Sequence, residues 1–360
     1  MKKILTFLLA IMLIVALAAC GADTPAPTPE PEAPIAHPTP EPTPVVTEDE
    51  DDEDRIFRAA FITYELDESQ VFSWREFQRL KSEFGFEMDV FAGEHEPAVE
   101  IAGIEYAIAE GFDAIFVNPS NIESVIPALN RAKNAGLIVG MFSSELPEEY
   151  RHLRDFWVGS DDFWVGSCAG AFLSEQFPYG ATFVEVGGPG GHPAQVRHHD
   201  GFRAAIADNI IELGAKNTAA EWNAQEASEI MEGFIEDFGN DIDIVWCHWD
   251  KGASGVINAL HNAGMYDVFV IGVDGLETGY AQVRTGTQAL SVDRRFDLMT
   301  WQSLYNARAL LLGQSVPEIN TISPYMLTFD TIAHTNLHGH LDSYPYVEYF
   351  DVPARPRRCC

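Results

Sequence analysis

The sequence predicts an α/β fold made of two doubly wound, Rossmann-like lobes with parallel sheets. From residue 55 onward, apolar strand-like runs alternate with amphipathic helix-like runs, and the strand-like runs are continuously apolar, as in A-I-F-V-N at 114–118. Continuous apolar strands are buried on both faces, as in a parallel sheet that helices cover on each side. The alternation pauses around 150–160 and then resumes. Because the folded part is too long for one small core, we expect two lobes of similar build.

The alternation gives the predicted elements in chain order. The first half contains predicted strands at 57–63, 88–91, 114–118 and 137–142, and predicted helices at 71–84, 98–110 and 122–135. The second half contains predicted strands at 181–186, 219–222, 242–247 and 268–273, and predicted helices at 162–177, 194–212, 225–238 and 252–263. Ligands bind beyond the carboxyl ends of the strands in such sheets, so the residues after each strand are the first candidates for a site.

The N-terminus predicts export and anchoring. Residues 1–19 combine two lysines, an apolar segment and small residues, which is the pattern of a secretory signal peptide. Cys20 follows Leu-Ala-Ala, which resembles the bacterial lipobox, so we expect Cys20 to be lipidated; the alternative is an ordinary signal peptide with an incidental cysteine. Residues 20–54 are rich in proline and acidic residues and lack lysine and arginine, which predicts a disordered spacer. The expected location is the outer face of the cytoplasmic membrane, or the periplasm.

Composition argues against several kinds of partner and cofactor. The net charge of −33 argues against nucleic acid, because phosphate contacts need basic patches. No two of the five cysteines have zinc-ligand spacing, and Cys168 and Cys247 are expected to be buried thiols. Cys359 and Cys360 close the C-terminal tail, and the sequence gives no role for them.

The chain has no motif that indicates catalysis, a cofactor or a metal. G-G-P-G-G-H at 187–192 lacks the Lys-Ser/Thr of a phosphate loop and is better explained as a strand-to-helix turn. His198 and His199 are adjacent on a predicted helix, so their rings point to different faces and do not form a metal pair. Ser167 and Ser254 do not lie in a nucleophile elbow. We therefore expect no enzyme activity, no cofactor and no metal.

Aromatic and charged residues at the predicted strand ends indicate a site for a small polar ligand. The aromatic candidates are Tyr64, Phe72, Trp222 and Trp249. The charged candidates are Asp250, Asp274 and Arg294. Sugars and polyols present C–H faces that stack on rings, and hydroxyl edges that bind carboxylates or guanidinium groups. Trp246 and Trp301 are instead expected in the core.

Three stretches carry a resemblance to a known family. They are F-V-N-P-S-N-I-E-S-V-I-P-A-L-N-R-A-K-N-A-G at 116–136, D-G-F-R-A-A-I at 200–206 and N-A-L-H-N-A-G-M-Y-D-V-F-V-I-G-V-D-G at 258–275. Together they resemble the ribose/galactose-type solute-binding proteins of bacterial ABC importers, which have the type I periplasmic-binding-protein fold. Lac-repressor-type regulators share that core. The lipobox, and the lack of a helix-turn-helix motif before the core, argue against a repressor.

The resemblance implies two lobes joined by three crossovers, near 160–161, 294–295 and Thr321. The implied N-terminal lobe covers 55–160 and 295–321. The implied C-terminal lobe covers 161–294 and 322–335, and a tail follows at 336–360. A ligand is expected between the lobes.

The resemblance also implies ligand contacts, with departures from the family pattern. The family's ligand-binding positions fall on Trp222, Trp249, Asp250, Asp274 and Arg294. Where sugar binders commonly carry Asp-Arg after the fourth strand, this chain has Ser143 and Ser144. The arginine before Gly-Phe comes one residue early, as Arg197, and His198 takes its place. The stacking aromatics near the first strand do not align cleanly, and the candidates there are Tyr64, Asp67, Phe72 and Trp74.

The leading hypothesis is a lipid-anchored, monomeric receptor that passes a small, carbohydrate-like ligand to the permease of an ABC importer. The departures also leave open a modified sugar, a polyol, a nucleoside or a sugar-derived signal. A second hypothesis is a sensory module whose closure signals to a membrane kinase or chemoreceptor. A third, a hydrolase on this scaffold, has no supporting motif.

Overall fold

The computed structural model describes residues 55–219 and 221–332. The predicted signal peptide, Cys20, the spacer and the tail lie outside these residues. Within the described ranges, no helix has both the length and the apolar character that a membrane span requires.

The first lobe, called the N lobe, begins with alternating strands and helices: β1 (Phe57–Thr63), α1 (Glu68–Leu80), β2 (Phe86–Ala92), α2 (Pro97–Ala109), β3 (Ala114–Asn118), α3 (Ile122–Asn134), β4 (Ile138–Phe142) and β5 (Phe156–Ser160). The second lobe, called the C lobe, continues the alternation: α4 (Asp162–Gln176), β6 (Ala181–Gly187), α5 (Pro193–Ala205), β7 (Ile210–Asn217), α6 (Ala224–Phe238), β8 (Ile244–Cys247), α7 (Asp250–Asn262), β9 (Phe269–Asp274), α8 (Glu277–Thr285) and β10 (Leu290–Asp293). The chain then returns to the N lobe with α9 (Phe296–Leu311) and β11 (Ile319–Ile322), and ends in the C lobe with β12 (Tyr325–Thr328) and α10 (Phe329–Ile332).

Each lobe is built on one six-stranded sheet. The N-lobe sheet has the order β2-β1-β3-β4-β5-β11, and all of its strand pairs are parallel. The C-lobe sheet has the order β7-β6-β8-β9-β10-β12, and β12 pairs antiparallel with β10 while the other pairs are parallel. The chain passes between the sheets after Ser160, after Asp293 and after Ile322. The predicted fold class, two doubly wound lobes joined by three crossovers, is confirmed.

Apolar clusters cover both faces of each sheet. On the N-lobe sheet, the Phe61 ring contacts those of Phe77 and Phe142, with centroids 5.0 and 5.3 Å apart. In the C lobe, Trp246 stacks on Phe202 at 5.3 Å and has no exposed surface. The core positions predicted for Trp246 and Trp301 are confirmed, and so is the burial of Cys168 and Cys247. This burial is the main favourable contribution to folding.

Close approach of two helices positions part of the later site. A Cβ atom on Gly201 in α5 would lie 1.8 Å from the Phe163 carbonyl oxygen in α4, so only glycine permits this packing. The contact brings the first turn of α4 against the middle of α5. As a result, Asp162 and His198 become neighbours.

Two element predictions in this region are wrong. The helix predicted at 194–212 ends at Ala205, and the strand predicted at 219–222 lies earlier, at Ile210–Asn217. Residues 206–209 form a turn that contains Asp208 and Asn209, both of which favour turns. Strand β5 was not predicted, because it is only five residues long and follows a short 3₁₀ helix, Glu148–Leu153.

Candidate ligand-binding site

Strained backbone marks the carboxyl ends of several strands. The described non-glycine residues with positive φ are Glu94 (49°), His95 (62°), Ser143 (61°), Asp274 (115°) and Arg295 (60°). They follow β2, β4 and β10, or end β9. Non-glycine residues rarely adopt this conformation, and such strain clusters at ligand-binding sites. The strand ends predicted to hold the site are therefore also where backbone strain is concentrated.

Arg294 joins the two lobes at one of the crossovers. Its Nη2 lies 3.0 Å from Asp162 Oδ1 and donates a hydrogen bond of 3.2 Å to Ser143 Oγ. Its backbone oxygen accepts a 3.0 Å hydrogen bond from Ser160 Oγ. The guanidinium is largely buried, and its Nε has no hydrogen-bond partner in the described part of the chain. Arg294 therefore has a donor still available at the point where both lobes meet.

Asp162 is a site residue that the sequence reasoning missed. Asp161 caps α4 by accepting hydrogen bonds from the backbone of Phe163 and Trp164, which leaves the Asp162 carboxylate free to face Arg294. Burial alone would raise the pKa of Asp162, but the Arg294 guanidinium and the His198 ring outweigh burial, and the pKa falls well below its usual range. The signal in the sequence was the Asp-Asp pair at a helix start, where one carboxylate suffices for the cap.

His198 lies beside this pair, whereas Arg197 does not. The His198 ring is 1% exposed, its Nε2 lies 3.4 Å from Asp162 Oδ1, and neither ring nitrogen has a hydrogen-bond partner in the described residues. Burial lowers the pKa of His198 to about 4, so the ring is neutral near pH 7 and Arg294 is the cation that holds Asp162 ionised. Arg197 is exposed and pairs with Asp161 at 2.6 Å. The expectation that Arg197 contacts the ligand stays a prediction; its side chain pairs with Asp161 and not with Asp162.

The Asp274 carboxylate accepts no hydrogen bond from the described residues. It is half-buried at the end of β9, and none of the described residues donates a hydrogen bond to its side chain. Burial raises the pKa of Asp274 well above its usual range; Arg294 opposes this, while the nearby Asp250, Asp67 and Glu68 add to it. An acceptor held in this way is suited to a ligand hydroxyl or another donor.

Asp250 supports the Asp274 turn from behind. Its carboxylate accepts hydrogen bonds from Gly275 N (2.9 Å), Ser291 Oγ (2.7 Å) and Gln288 Nε2 (2.7 Å), and the residue is 1% exposed. Burial raises the pKa of Asp250 to about 7, although these donors oppose the rise. The expected ligand contact by Asp250 stays a prediction; in this structure its oxygens accept hydrogen bonds from protein donors, which position the turn.

The tryptophans form an aromatic corner with His192. The rings of Trp222 and Trp249 meet edge to face at 5.3 Å, and His192 contacts Trp222 at 5.4 Å. Trp249 is largely buried, and its Nε1 has no partner in the part of the chain that is described. A Cβ atom on Gly188 would lie 2.2 Å from the Trp222 ring. The glycine-rich turn therefore allows Trp222 to pack against backbone, which explains the motif without a phosphate.

In the N lobe, Tyr64, Asp67 and Phe72 face the other side of the candidate site. Asp67 caps α1 by accepting a 2.8 Å hydrogen bond from Gln70 N, and it also accepts one from the Tyr64 hydroxyl. Burial and the neighbouring Asp67 raise the pKa of Tyr64, so Tyr64 remains a donor. Phe72 is half-buried against the N-lobe core. Ser144 donates a 2.8 Å hydrogen bond to Asn118 at the end of β3.

A buried network supports the aromatic corner from the C-lobe core. Glu185 is 1% exposed and lies 2.9 Å from His248 Nε2 and 2.8 Å from His199 Nδ1. Burial would raise the pKa of Glu185, but these histidines lower it to about 2. His199 therefore has Glu185 as a structural partner. Among the described residues, no three histidine, cysteine or acidic side chains are grouped so that they could hold a metal ion.

Comparisons with known proteins agree with this architecture. The model of the family described as "Periplasmic binding protein domain" matches residues 60–315. The ribose import binding protein of Escherichia coli strain K12 is 24% identical over 241 residues, which cover 66% of this chain and 79% of that protein. A solute-binding protein of an ABC transporter from Actinobacillus succinogenes 130z, with bound D-allose, has a TM-score of 0.73 at 20% identity, covering 77% of this chain and 99% of that one. A fructose-binding periplasmic domain of a hybrid two-component system has a TM-score of 0.69 at 18% identity, covering 77% and 92% of the two chains.

Proposed function

Because the chain belongs to the periplasmic binding protein domain family, we propose that it captures a carbohydrate-like ligand between its lobes and delivers it to an ABC importer. The observation that carries the proposal is the position of Arg294, which contacts Asp162 of the C lobe and Ser143 of the N lobe at a crossover. A ligand bound beside Arg294 would touch both lobes at once. It would therefore favour the closed arrangement through its higher affinity for that state.

The chemistry of the cluster supports a polyhydroxylated ligand. Asp274 and the free Nε of Arg294 offer an acceptor and a donor for hydroxyl edges, and the rings of Trp222 and Tyr64 offer faces for C–H groups. The proposed ligand contacts are Tyr64, Asp67, Phe72, Ser143, Ser144, Asp162, His192, His198, Trp222, Trp249, Asp274 and Arg294. The ribose import binding protein and the D-allose-bound solute-binding protein that this chain resembles are binding proteins rather than enzymes, which supports capture without chemical conversion.

We further propose that the receptor works as a monomer outside the cytoplasm, held to the membrane through a lipid on Cys20. The lipobox-like Leu-Ala-Ala-Cys and the proline-rich and acidic spacer support this proposal. The partner would be the permease of an importer, which would recognise the closed lobes.

Native mass spectrometry of the protein purified from its own host, followed by isothermal titration with the compound found, tests the proposal. We expect a sugar or polyol that binds with one-to-one stoichiometry. Co-purification of a compound of another class, together with no heat of binding for any sugar or polyol, would overturn the proposal.

A sensory role is the second candidate, and one observation favours it: the structural similarity to a fructose-binding periplasmic domain of a hybrid two-component system. The two candidates share the ligand and differ in the partner. Crosslinking in membranes with ligand present should capture a permease if the protein serves import, and a kinase or chemoreceptor if it serves sensing.

A further inference from the structure

A cavity of about 280 Å³ lies between the lobes, next to the proposed ligand contacts. From the N lobe it is lined by Leu66, Asp67, Glu68, Val71, Phe72 and Arg75, and from the C lobe by Lys251, Leu276, Glu277 and Thr278. Complete pockets for drug-sized ligands have volumes of about 300–1,000 Å³. The cavity is therefore large enough for a ring-sized group and lies at the lower end of this range.

The cavity shares Asp67 and Phe72 with the proposed ligand contacts. The Asp67 carboxylate lines the cavity and also accepts a hydrogen bond from the Tyr64 hydroxyl on the side of the site. Leu276 and Thr278 of the lining closely follow Asp274, which ends β9. A group in the cavity would thus lie near a ring held beside Asp274.

The lining offers apolar surface for the C–H face of a sugar ring and polar groups for its hydroxyls. Val71, Phe72 and Leu276 supply apolar surface, and the Phe72 ring offers a face for C–H groups. Arg75 of α1 and Lys251 of α7 are exposed, and neither forms an ion pair with any described residue. Their donors approach from opposite lobes, and Glu68 and Glu277 provide acceptors nearby.

Contacts between the lobes form one wall of the cavity. Glu68 accepts a 2.8 Å hydrogen bond from the backbone N–H of Thr278, at the start of α8. Leu276 is buried in the N-lobe core cluster although it belongs to the C lobe. The cavity therefore exists only while the lobes are together, and a group inside it would be held by both of them.

We propose that this cavity is a second subsite, and that the ligand is a disaccharide or other glycoside whose second ring occupies it. The inference rests on the proposed function, since it concerns the ligand of the same site. It predicts that the protein distinguishes glycosides from the corresponding free monosaccharides.

The experiment is isothermal titration of the full-length protein with D-glucose, cellobiose and maltose, and with D-galactose, lactose and melibiose. We expect at least one disaccharide to bind about tenfold or more tightly than its component monosaccharide, because the second ring adds charged hydrogen bonds. Val71→Trp would fill the cavity and reduce that affinity ratio by about tenfold. The matched control is Val99→Trp, on an exposed position of α2, which should leave the ratio unchanged.

Lys251→Met provides a second variant, because it removes one donor of the cavity at an exposed position and should also lower the ratio. Equal or weaker binding of every disaccharide by the unmodified protein would overturn the subsite while leaving the proposed function intact. An unchanged ratio in both Val71→Trp and Lys251→Met would do the same. A co-purified ligand with a single sugar ring would also overturn the subsite and leave the proposed function intact, whereas a co-purified ligand of another class would count against carbohydrate capture itself.

Discussion

Arg294 Nη2 lies 3.0 Å from Asp162 Oδ1, and this ion pair is mostly shielded from water at the crossover between the lobes. Each of these two buried charges would destabilise the folded state if the other were absent. Since Arg294 also donates to Ser143, the same side chain connects the pair to the N lobe. One guanidinium therefore connects the ion pair of the C lobe to the N lobe, and the proposed function places the ligand beside it.

Removal of that guanidinium should destabilise the protein strongly. Arg294→Met leaves the Asp162 carboxylate buried without its cation, which we expect to lower the free energy of unfolding by about 3 kcal/mol. Asp162→Asn in the same chain should recover part of the loss. Urea unfolding of the two single variants and the double variant measures the coupling. Additive effects would mean that the two side chains do not act as a pair.

Asp250 should make the protein less stable as the pH rises from about 4 to about 7. Its folded pKa is raised to about 7 by burial, above the value of 3.8 for an unperturbed aspartate, so the folded state binds the proton more tightly over this window. The stability that protonation provides is present below the unfolded pKa and is lost as the pH approaches 7. Between the two pKa values, ionisation of Asp250 lowers the free energy of unfolding by about 1.4 kcal/mol for each pH unit, and Asp250→Asn should remove this dependence. Urea unfolding at several pH values checks this, and parallel curves for both proteins would contradict it.

Asp274→Asn should weaken ligand binding and stabilise the unliganded protein. The raised pKa means that ionised Asp274 opposes folding at neutral pH, and the amide removes that charge. Loss of a charged acceptor should weaken affinity by about tenfold or more. Titration with the co-purified ligand and thermal melts measure the two effects. Trp301→Ala is the matched contrast, because its buried ring contacts the rings of Phe84 and Tyr305, which are not proposed ligand contacts, so its loss should lower the melting temperature and leave affinity unchanged.

Cys20→Ala should release the protein from the membrane fraction. The lipobox-like sequence predicts the anchor, and the proline-rich spacer separates it from the folded lobes. Ligand affinity should therefore stay the same, which titration of the released protein checks. Retention of the variant in the membrane fraction would show that another part of the chain holds it there.

Regular alternation made most of the fold predictable from the sequence. The strands β1 and β3 stand out as mainly apolar runs, and both were predicted with the observed ends. Strand β7 was misplaced because I-I-E-L continues the helical periodicity of α5, and the turn before it contains no glycine or proline. The local sequence pattern cannot locate the boundary between α5 and β7, because packing against other parts of the lobe determines it.

The site was predictable only in part. Arg294, Asp274 and Trp222 lie at strand ends or crossovers, which topology identifies. The pairing of Asp162 with Arg294 and of Glu185 with His248 depends on contacts between distant parts of the chain. Sequence position also does not show that the Asp250 oxygens accept hydrogen bonds from Gly275 and Ser291.

Under the proposed function, Leu276 affects how quickly the protein exchanges its ligand. When the lobes part, this side chain must leave the N-lobe core and enter water. Burying a leucine is worth about 1.5–3 kcal/mol, so its departure would slow opening by about ten- to a hundredfold. A protein that releases its ligand slowly averages the supply of that ligand over time. Brief changes in ligand concentration would then produce only small changes in the loaded fraction of the protein.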